Sequence, residues 1–192
     1  HGIAAINFDL MYGLPQQSVA DVEKSARLAV SLNPSRIASF GYAHVPWMRP
    51  NQKMIDAVSL PGAAERLEQA KTAERVFIKA GYQAIGLDHF ALPDDPLAVA
   101  ARLGTMRRNF QGYVTDDADA LIGFGATSIG RLPRGYVQNF PDVGHWRRAV
   151  EKGELSVARG LVLSDDDHAR GAVIERLMCD FSIDFGAIAV EY

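Results

Sequence analysis

Three polar residues stand in or just after apolar segments of the first half of the sequence. Asp9 lies near the end of the segment AAINFDLM, and His44 and His89 each follow a further apolar segment. A carboxylate near the carboxyl end of a parallel strand is suited to accept hydrogen bonds from ribose hydroxyls. An aspartate there can equally cap the following turn, and a lone histidine is more often a hydrogen-bonded structural residue than a ligand or a catalyst. The three residues therefore indicate either a nucleoside site or ordinary structural contacts.

The segment RRNFQGYVTDDADALIGFGATSIG, residues 107–130, combines an amide between aromatic residues with three glycines. Glycine weakens a strand interior unless a ligand or another backbone comes close, so Gly123, Gly125 and Gly130 predict a close approach. Gln111 predicts an amide that hydrogen-bonds a ligand in an aromatic-lined pocket. The nearby arginines are either solvated surface charge or two-pronged donors to ligand carboxylates. These arginines are Arg107, Arg108, Arg131 and Arg134.

The elements that must position these residues alternate between strand and helix. Apolar segments predict strands at residues 4–11, 36–42, 82–87 and 120–124. Between them, a helix is predicted from Ser18, with Asp21 completing a capping box, and another across residues 63–77. Such alternation predicts an α/β fold with parallel strands and right-handed crossovers, whose chemistry lies at the carboxyl ends of the strands.

The pattern changes near residue 132. Ser164 followed by three aspartates predicts the start of a helix, because acidic side chains are favourable at the positive end of the helix dipole. Cys179 falls in the apolar part of this helix and is expected to be a small core residue. We therefore predict two domains, residues 1–132 and residues 133–192, of which the second is the beginning of a small, mostly helical C-terminal domain.

The predicted strands are too few to close a barrel. An eight-stranded β/α barrel takes about 250 residues, and three or four strands leave unpaired edges. We therefore expect the first domain to be the second half of an incomplete β/α barrel whose other strands precede residue 1. Exposed sheet edges of this kind also predict self-association.

The composition excludes several classes of function. The 192 residues are 48% hydrophobic and 22% charged, with a formal net charge of −3, so neither nucleic acid nor a membrane is an expected partner. No apolar run reaches the roughly 18 residues that a membrane span needs. A single cysteine and the lack of metal-ligand spacing predict no metal site in this chain, and they fit a cytoplasmic location.

Five motifs, in this order, resemble those of a known family: INFDLMYGLPQQ, FGYAHVP, GYQAIGLDHFALPDDPLAVA, RRNFQGYVT and LIGFGATSIG. Together they are similar to oxygen-independent coproporphyrinogen III oxidase, a radical S-adenosylmethionine enzyme of haem biosynthesis, over nearly the whole chain. The resemblance implies an incomplete β/α barrel followed by a small helical domain. It also implies oxidative decarboxylation of two propionates of coproporphyrinogen III to vinyl groups, which yields protoporphyrinogen IX.

The resemblance also assigns roles to residues. Asp9 and Ala43 would contact one of two S-adenosylmethionine molecules, Ile129 would contact the other, and Gln111, the catalytic candidate, would lie close to the substrate or cofactor. The family holds a [4Fe–4S] cluster with a Cys-x3-Cys-x2-Cys motif, which is absent here, and one cysteine cannot hold such a cluster. The chain therefore resembles a fragment without the cluster-binding half, and we expect it to be inactive alone.

Two alternatives remain for the function. Related haem chaperones have a Glu-Ile-Ser-Asn type sequence where this chain has GLDHFA, and a His-Asn segment where it has RRNFQGY. These differences favour the decarboxylating enzyme, while haem retention without decarboxylation would favour a chaperone. A non-catalytic binding or structural module is the alternative from another class.

Overall fold

The computed structural model describes residue 3 and residues 5–192. The described residues form two compact units that divide between Thr115 and Asp116, whereas the sequence predicts a boundary after residue 132. In the described part of the chain, no helix is both long and apolar enough to cross a membrane.

The first unit alternates strands with helices and ends in a hairpin. Its elements are β1 (Asn7–Tyr12), α1 (Val19–Ser31), β2 (Arg36–Gly41), α2 (Ala63–Lys79), β3 (Gln83–Ile85), β4 (His89–Ala91), α3 (Pro96–Leu103), β5 (Arg107–Asn109) and β6 (Gly112–Val114). Two short 3-10 helices, Pro50–Met54 and Ala57–Ser59, lie between β2 and α2.

The four-stranded sheet of this unit has the order β1-β2-β4-β3. β1 and β2 are parallel, but β4 runs antiparallel to both of its neighbours, so the predicted arrangement of parallel strands is only partly correct. The described residues form no closed barrel. The chain reverses after β3 because Gly86 has a φ of +55°, in the left-handed region that favours glycine. Since β3 still runs in the direction of β1 and β2, the carboxyl ends of all three strands share one edge.

The two faces of this sheet have different surroundings. One face packs against α1 and α2 around a core of Val22, Ala26, Ile37, Ala73, Phe77, Tyr82 and Phe90. In β1 half-buried and exposed residues alternate, as expected for a strand with one covered face. The opposite face, which we call the open face, carries Asn7, Asp9, Met11, Ala38, Phe40 and His89. The candidate site residues of the first three strands therefore lie on the face that α1 and α2 leave uncovered.

The predicted capping box at Ser18 is present, and the helix predicted to start at Ser164 also begins with a capping box. Ser18 Oγ accepts a hydrogen bond from Asp21 N while the Asp21 carboxylate accepts one from Ser18 N, and Ser164 and Asp167 make the same exchange. These hydrogen bonds, from the serine side chain first, hold the pKa of Asp21 and of Asp167 below the usual range. The helix predicted across residues 63–77 is also present, although the apolar side chain of Leu67 within it is exposed.

The second unit combines a small sheet with helices. Its elements are β7 (Ile129–Leu132), β8 (Gly135–Asn139), α4 (Val143–Glu151), β9 (Val157–Val162), α5 (Asp165–Asp180) and α6 (Phe185–Glu191). The three strands form an antiparallel sheet in the order β7-β8-β9, which the sequence did not predict. The strand predicted at residues 120–124 is absent, and a single bridge between Leu121 and Arg131 stands in its place.

Candidate functional site

Asp9 lies in the middle of β1 and not at its end. It pairs with Ala38 of β2, and its side chain is exposed on the open face. Asn7 Nδ2 donates a hydrogen bond of 2.7 Å to Asp9 Oδ1, which orients the carboxylate and leaves Oδ2 without a donor among the described residues. Asp9 therefore does not cap the following turn. An exposed, oriented carboxylate with one oxygen still open can accept a hydrogen bond from a ribose hydroxyl.

Ala43 is exposed just beyond β2, in a loop that two side chains hold in place. Gln52 Nε2 donates to the Ala43 carbonyl at 3.1 Å, and Val45 N donates to Gln52 Oε1 at 2.6 Å. Arg66 of α2 donates to the Tyr42 carbonyl at 2.7 Å. No local pattern in the sequence indicates Gln52 or Arg66, because both reach their partners only through the tertiary fold.

Asp9 and Ala43 are not neighbours. The register places Asp9 beside Ala38, and Ala43 lies five residues further along the chain. Asp9 lies in the middle of β1, whereas Ala43 lies two residues beyond the end of β2. A ligand that touches both residues has to extend from the middle of the sheet past the end of β2.

His89 begins β4 on the open face and is held by its surroundings. Its Nδ1 lies 2.7 Å from Asp88 Oδ1, and its ring lies edge-on to Phe40 and to Tyr113. His89 also pairs with Ala38, so Asp9, Ala38 and His89 form one row across the sheet. The sequence predicted His89 beyond a strand end, whereas the structure places it at the start of an antiparallel strand.

Gln111 lies at the tip of the β5–β6 hairpin, where its side chain is exposed. Its backbone N donates to Asn109 Oδ1 at 2.8 Å, which closes the hairpin loop. A Cβ placed on the neighbouring Gly112 would be 3.9 Å from His89 Nε2. The hairpin tip therefore passes beside the open face, which brings the backbone next to Gln111 close to His89.

Arg108, one of the four arginines in or beside residues 107–130, packs on an aromatic ring. The Arg108 guanidinium lies over the Tyr113 ring, 4.6 Å from its centroid. This cation–π contact places Arg108 on the same hairpin as Gln111.

Ile129 begins β7 in the second unit, where it is half-buried and pairs with Gln138. Its contact with a second S-adenosylmethionine molecule stays a prediction. Two of the nearby glycines have an explanation that needs no ligand. A Cβ on Gly123 would lie 2.8 Å from the Ile129 carbonyl oxygen, and one on Gly130 would lie 2.9 Å from the Leu121 carbonyl oxygen. The close approach predicted there is backbone to backbone, so these glycines are no evidence for an adenosyl group.

The two other residues that the sequence singled out, His44 and Cys179, make ordinary structural contacts. His44 Nδ1 lies 3.4 Å from the Tyr42 hydroxyl, and Cys179 is buried in α5. Within the described residues no group of three or more His, Cys, Asp or Glu side chains is arranged to hold a metal ion. The side chains of this chain therefore do not fit an iron–sulfur cluster, which needs three or four thiolates.

A groove of about 420 Å³ lies between α1 and α2. It is lined by Glu23, Arg27, Val30, Ser31, Thr72, Arg75, Val76, Lys79 and Ala80. Because α1 and α2 cover the face opposite Asp9, this groove is separate from the candidate site on the open face.

No family model matches the chain, but curated relatives match it over all its residues. The oxygen-independent coproporphyrinogen III oxidase of Bradyrhizobium diazoefficiens is 49% identical over 191 residues. The anaerobic coproporphyrinogen III oxidase 1 of Cereibacter sphaeroides is 44% identical over 192 residues. The chain spans 42% of the length of each relative.

A solved structure agrees with these relatives. Coproporphyrinogen III oxidase from Escherichia coli, described as a radical SAM enzyme, matches 99% of this chain with a TM-score of 0.90 and 37% sequence identity. The match covers 44% of that protein. Sequence and structure together confirm the resemblance to oxygen-independent coproporphyrinogen III oxidase.

Proposed function

We propose that this chain, which is similar over all its residues to oxygen-independent coproporphyrinogen III oxidases, supplies ligand-binding residues for the oxidative decarboxylation of coproporphyrinogen III to protoporphyrinogen IX. The observation that carries the proposal is the extent of the similarity, 49% identity over 191 residues and a TM-score of 0.90. The exposure of Asp9 on the open face supports the proposal, since a protein carboxylate that binds a ligand has to be accessible.

S-adenosylmethionine would bind on the open face, toward the sheet edge at which β1, β2 and β3 end. Asp9 Oδ2 would accept a hydrogen bond from a ribose hydroxyl. The exposed Ala43 would contact the same molecule just beyond β2. Ile129 would contact a second molecule. When bound, S-adenosylmethionine supplies the radical chemistry of the reaction, while the residues of this chain bind and orient the reactants.

Gln111 would contact the substrate or the cofactor from the hairpin tip. Its amide offers both donors and an acceptor, so it suits a propionate carboxylate as well as a ribose hydroxyl. Its exposure means that it contributes little to the core. A role in ligand contact is therefore separable from a role in stability.

The 192-residue chain by itself should not complete the reaction. Its single cysteine does not meet the thiolate requirement of a [4Fe–4S] cluster. Anaerobic reconstitution of the chain with iron and sulfide is expected to give no stable cluster and no decarboxylation of coproporphyrinogen III. A cluster at stoichiometric loading would contradict this expectation.

A chimeric enzyme tests the proposed function directly. The 191 matched residues of the Bradyrhizobium diazoefficiens relative are replaced by this chain, and conversion of coproporphyrinogen III is measured under anaerobic conditions. We expect protoporphyrinogen IX to form, and to form more slowly when the inserted chain carries Asp9→Ala. A folded, cluster-loaded chimera that retains haem without decarboxylating the substrate would instead indicate a haem chaperone.

A further inference from the structure

His89 is a polar side chain of the open face to which the proposed function gives no role. Its ring centroid lies 5.9 Å from that of Phe40 and 5.1 Å from that of Tyr113, with interplanar angles of 79° and 87°. Asp88 Oδ1 lies 2.7 Å from Nδ1, and 17% of the His89 side chain is exposed. Two aromatic rings and one carboxylate therefore fix the position of an imidazole that still reaches solvent.

The contact with Asp88 determines which nitrogen of the neutral ring carries the proton. An ionised carboxylate only accepts hydrogen bonds, so Nδ1 is the donor to Asp88 and Nε2 keeps its lone pair. Nε2 has no hydrogen-bond partner among the described residues. The one buried side-chain polar atom without a partner in that part of the chain is Gln69 Oε1, so Nε2 is not buried. His89 therefore presents an open hydrogen-bond acceptor.

The register of the sheet places this acceptor opposite Asp9. Ala38 pairs with Asp9 on one side and with His89 on the other. With neighbouring strands about 4.8 Å apart, Asp9 and His89 are separated by roughly 10 Å across the sheet. Ala38 lies between them with only 1% of its surface exposed, and the β5–β6 hairpin passes beside Nε2 at Gly112. Two acceptors thus lie in the same row of the open face.

We infer that His89 is a ligand-binding residue of the open face, and that its Nε2 accepts a hydrogen bond from an N–H or O–H group of a ligand bound on this face. The inference rests on the proposed function, which offers two ligands with such donors: the ribose of S-adenosylmethionine and the pyrrole N–H groups of the tetrapyrrole substrate. Asp88 acts as a positioning residue that fixes the tautomer and the orientation of the ring.

The tautomer is tested first on the 192-residue chain. Long-range ¹H–¹⁵N correlation spectra of the histidine side chains, assigned with the His89→Gln variant, should show His89 protonated at Nδ1 and bare at Nε2. Addition of a bound probe should shift the Nε2 resonance. A ring protonated at Nε2, or at both nitrogens, would overturn the inference. The tautomer is observed on the unaltered chain, and the variant serves only to assign the resonance.

Ligand binding is tested with two probes, S-adenosylhomocysteine and anaerobic coproporphyrinogen III, by titration calorimetry. His89→Phe keeps an aromatic ring between Phe40 and Tyr113 but removes the acceptor, and we expect about 5- to 10-fold weaker binding of one probe. His89→Gln retains an acceptor and should bind within about 2-fold of the unaltered chain. The matched control is His145→Phe, because His145 also lies beside an aspartate, Asp142, but is exposed in the second unit.

The outcomes separate the inference from the proposed function. The probe that His89→Phe weakens identifies the donor, nucleoside or tetrapyrrole. Equal binding of both probes by the unaltered chain and His89→Phe overturns the inference, as does failure of the unaltered chain to bind either probe. Turnover by the chimeric enzyme is measured independently, so an active chimera combined with either result would leave the proposed function standing and remove His89 from it.

Discussion

The ring of Tyr113 fills the space that a side chain at position 86 would occupy. A Cβ on Gly86 would overlap Tyr113 Cζ and Oη, and Leu87 N donates a hydrogen bond of 3.0 Å to the Tyr113 hydroxyl. Because Tyr113 lies in β6, this contact attaches the β5–β6 hairpin to the turn after β3. Tyr113 also packs against His89, so the glycine at position 86 connects the reversal of the sheet to the placement of the hairpin that carries Gln111.

Substitution of Gly86 should therefore destabilise the chain for two reasons. Gly86→Ala puts an L-residue into a left-handed conformation, at a cost of about 1–2 kcal/mol, and displaces Tyr113, at a further cost of about 1–3 kcal/mol. The control Gly104→Ala has a similar φ of +68° but no atom within 4 Å of the new Cβ, so it should show only the first cost. Urea unfolding of both variants measures the difference, and equal losses would show that Tyr113 does not depend on Gly86.

Substitution of Asp9 should affect binding and leave stability unchanged. A hydrogen bond to a charged group contributes about 1.5–3 kcal/mol, so Asp9→Ala in the chimeric enzyme should weaken S-adenosylmethionine binding by about 10- to 150-fold. The melting temperature should not change, because Asp9 is exposed. Asp94→Ala, at an exposed aspartate outside the open face, is the control and should bind normally. Equal affinity in both variants would remove Asp9 from the site.

Local signals in the sequence predicted much of the first unit. The Ser18 capping box and the parallel β1–β2 pair follow from short-range patterns that the structure reproduces. The helix start predicted at Ser164, in the second unit, is reproduced as well. The reversal at Gly86 was missed because Gly86 lies inside the apolar segment 82–87, which predicts an uninterrupted strand. Only the tertiary contact with Tyr113 shows that this glycine has to adopt a left-handed conformation beside an aromatic ring.

Long-range contacts explain what the sequence left open at the site. Gly123 and Gly130 correctly indicated a close approach, whereas Gly125 has only an ordinary contact with Ser128. Glycine content cannot distinguish a ligand from another segment of backbone. At Gly123 and Gly130 the approaching group is the chain itself. Likewise, the hydrogen bonds of Gln52 and Arg66 around Ala43 join residues that no local pattern relates.

The core around Tyr82 should respond to alkaline pH. Burial raises the pKa of Tyr82 above its ordinary value of 10.0, and its hydroxyl donates to the Pro34 carbonyl at 2.6 Å. Above about pH 10 the unfolded chain loses this proton before the folded chain does. The stability that the neutral phenol provides is therefore complete below about pH 10. It is lost as the pH rises through the folded-state pKa. Tyr82→Phe should lower the free energy of unfolding at pH 7 by about 1 kcal/mol, yet show a smaller loss at high pH. Urea unfolding between pH 7 and 11 measures the free energy of unfolding of both proteins. An identical pH dependence in the two would contradict the raised pKa of Tyr82 as the cause.

Gln111 offers a test of which group it contacts. In the chimeric enzyme Gln111→Ala should lower turnover by about 10-fold, equivalent to one lost hydrogen bond, without a change in melting temperature because the side chain is exposed. Gln111→Glu distinguishes the partners: a carboxylate would repel a substrate propionate and lower turnover further, but would still accept from a ribose hydroxyl. Unchanged turnover in both variants would show that the hairpin tip does not touch a reactant.

Ile129 tests the prediction that the second unit contributes to an S-adenosylmethionine site. Because Ile129 is half-buried at the start of β7, Ile129→Trp adds bulk where the resemblance predicts an adenosyl group, and it should block that group sterically in the chimeric enzyme. We expect turnover to fall by at least about 10-fold, the effect of a barrier increase near 1.4 kcal/mol, while circular dichroism shows a folded protein. Ile122→Trp is the matched control, since Ile122 is an exposed isoleucine of the same unit, at 68% exposure, and the same substitution there should leave turnover unchanged. Equal turnover in the two variants would leave the close backbone packing of Gly123 and Gly130 as the whole explanation for this glycine-rich segment.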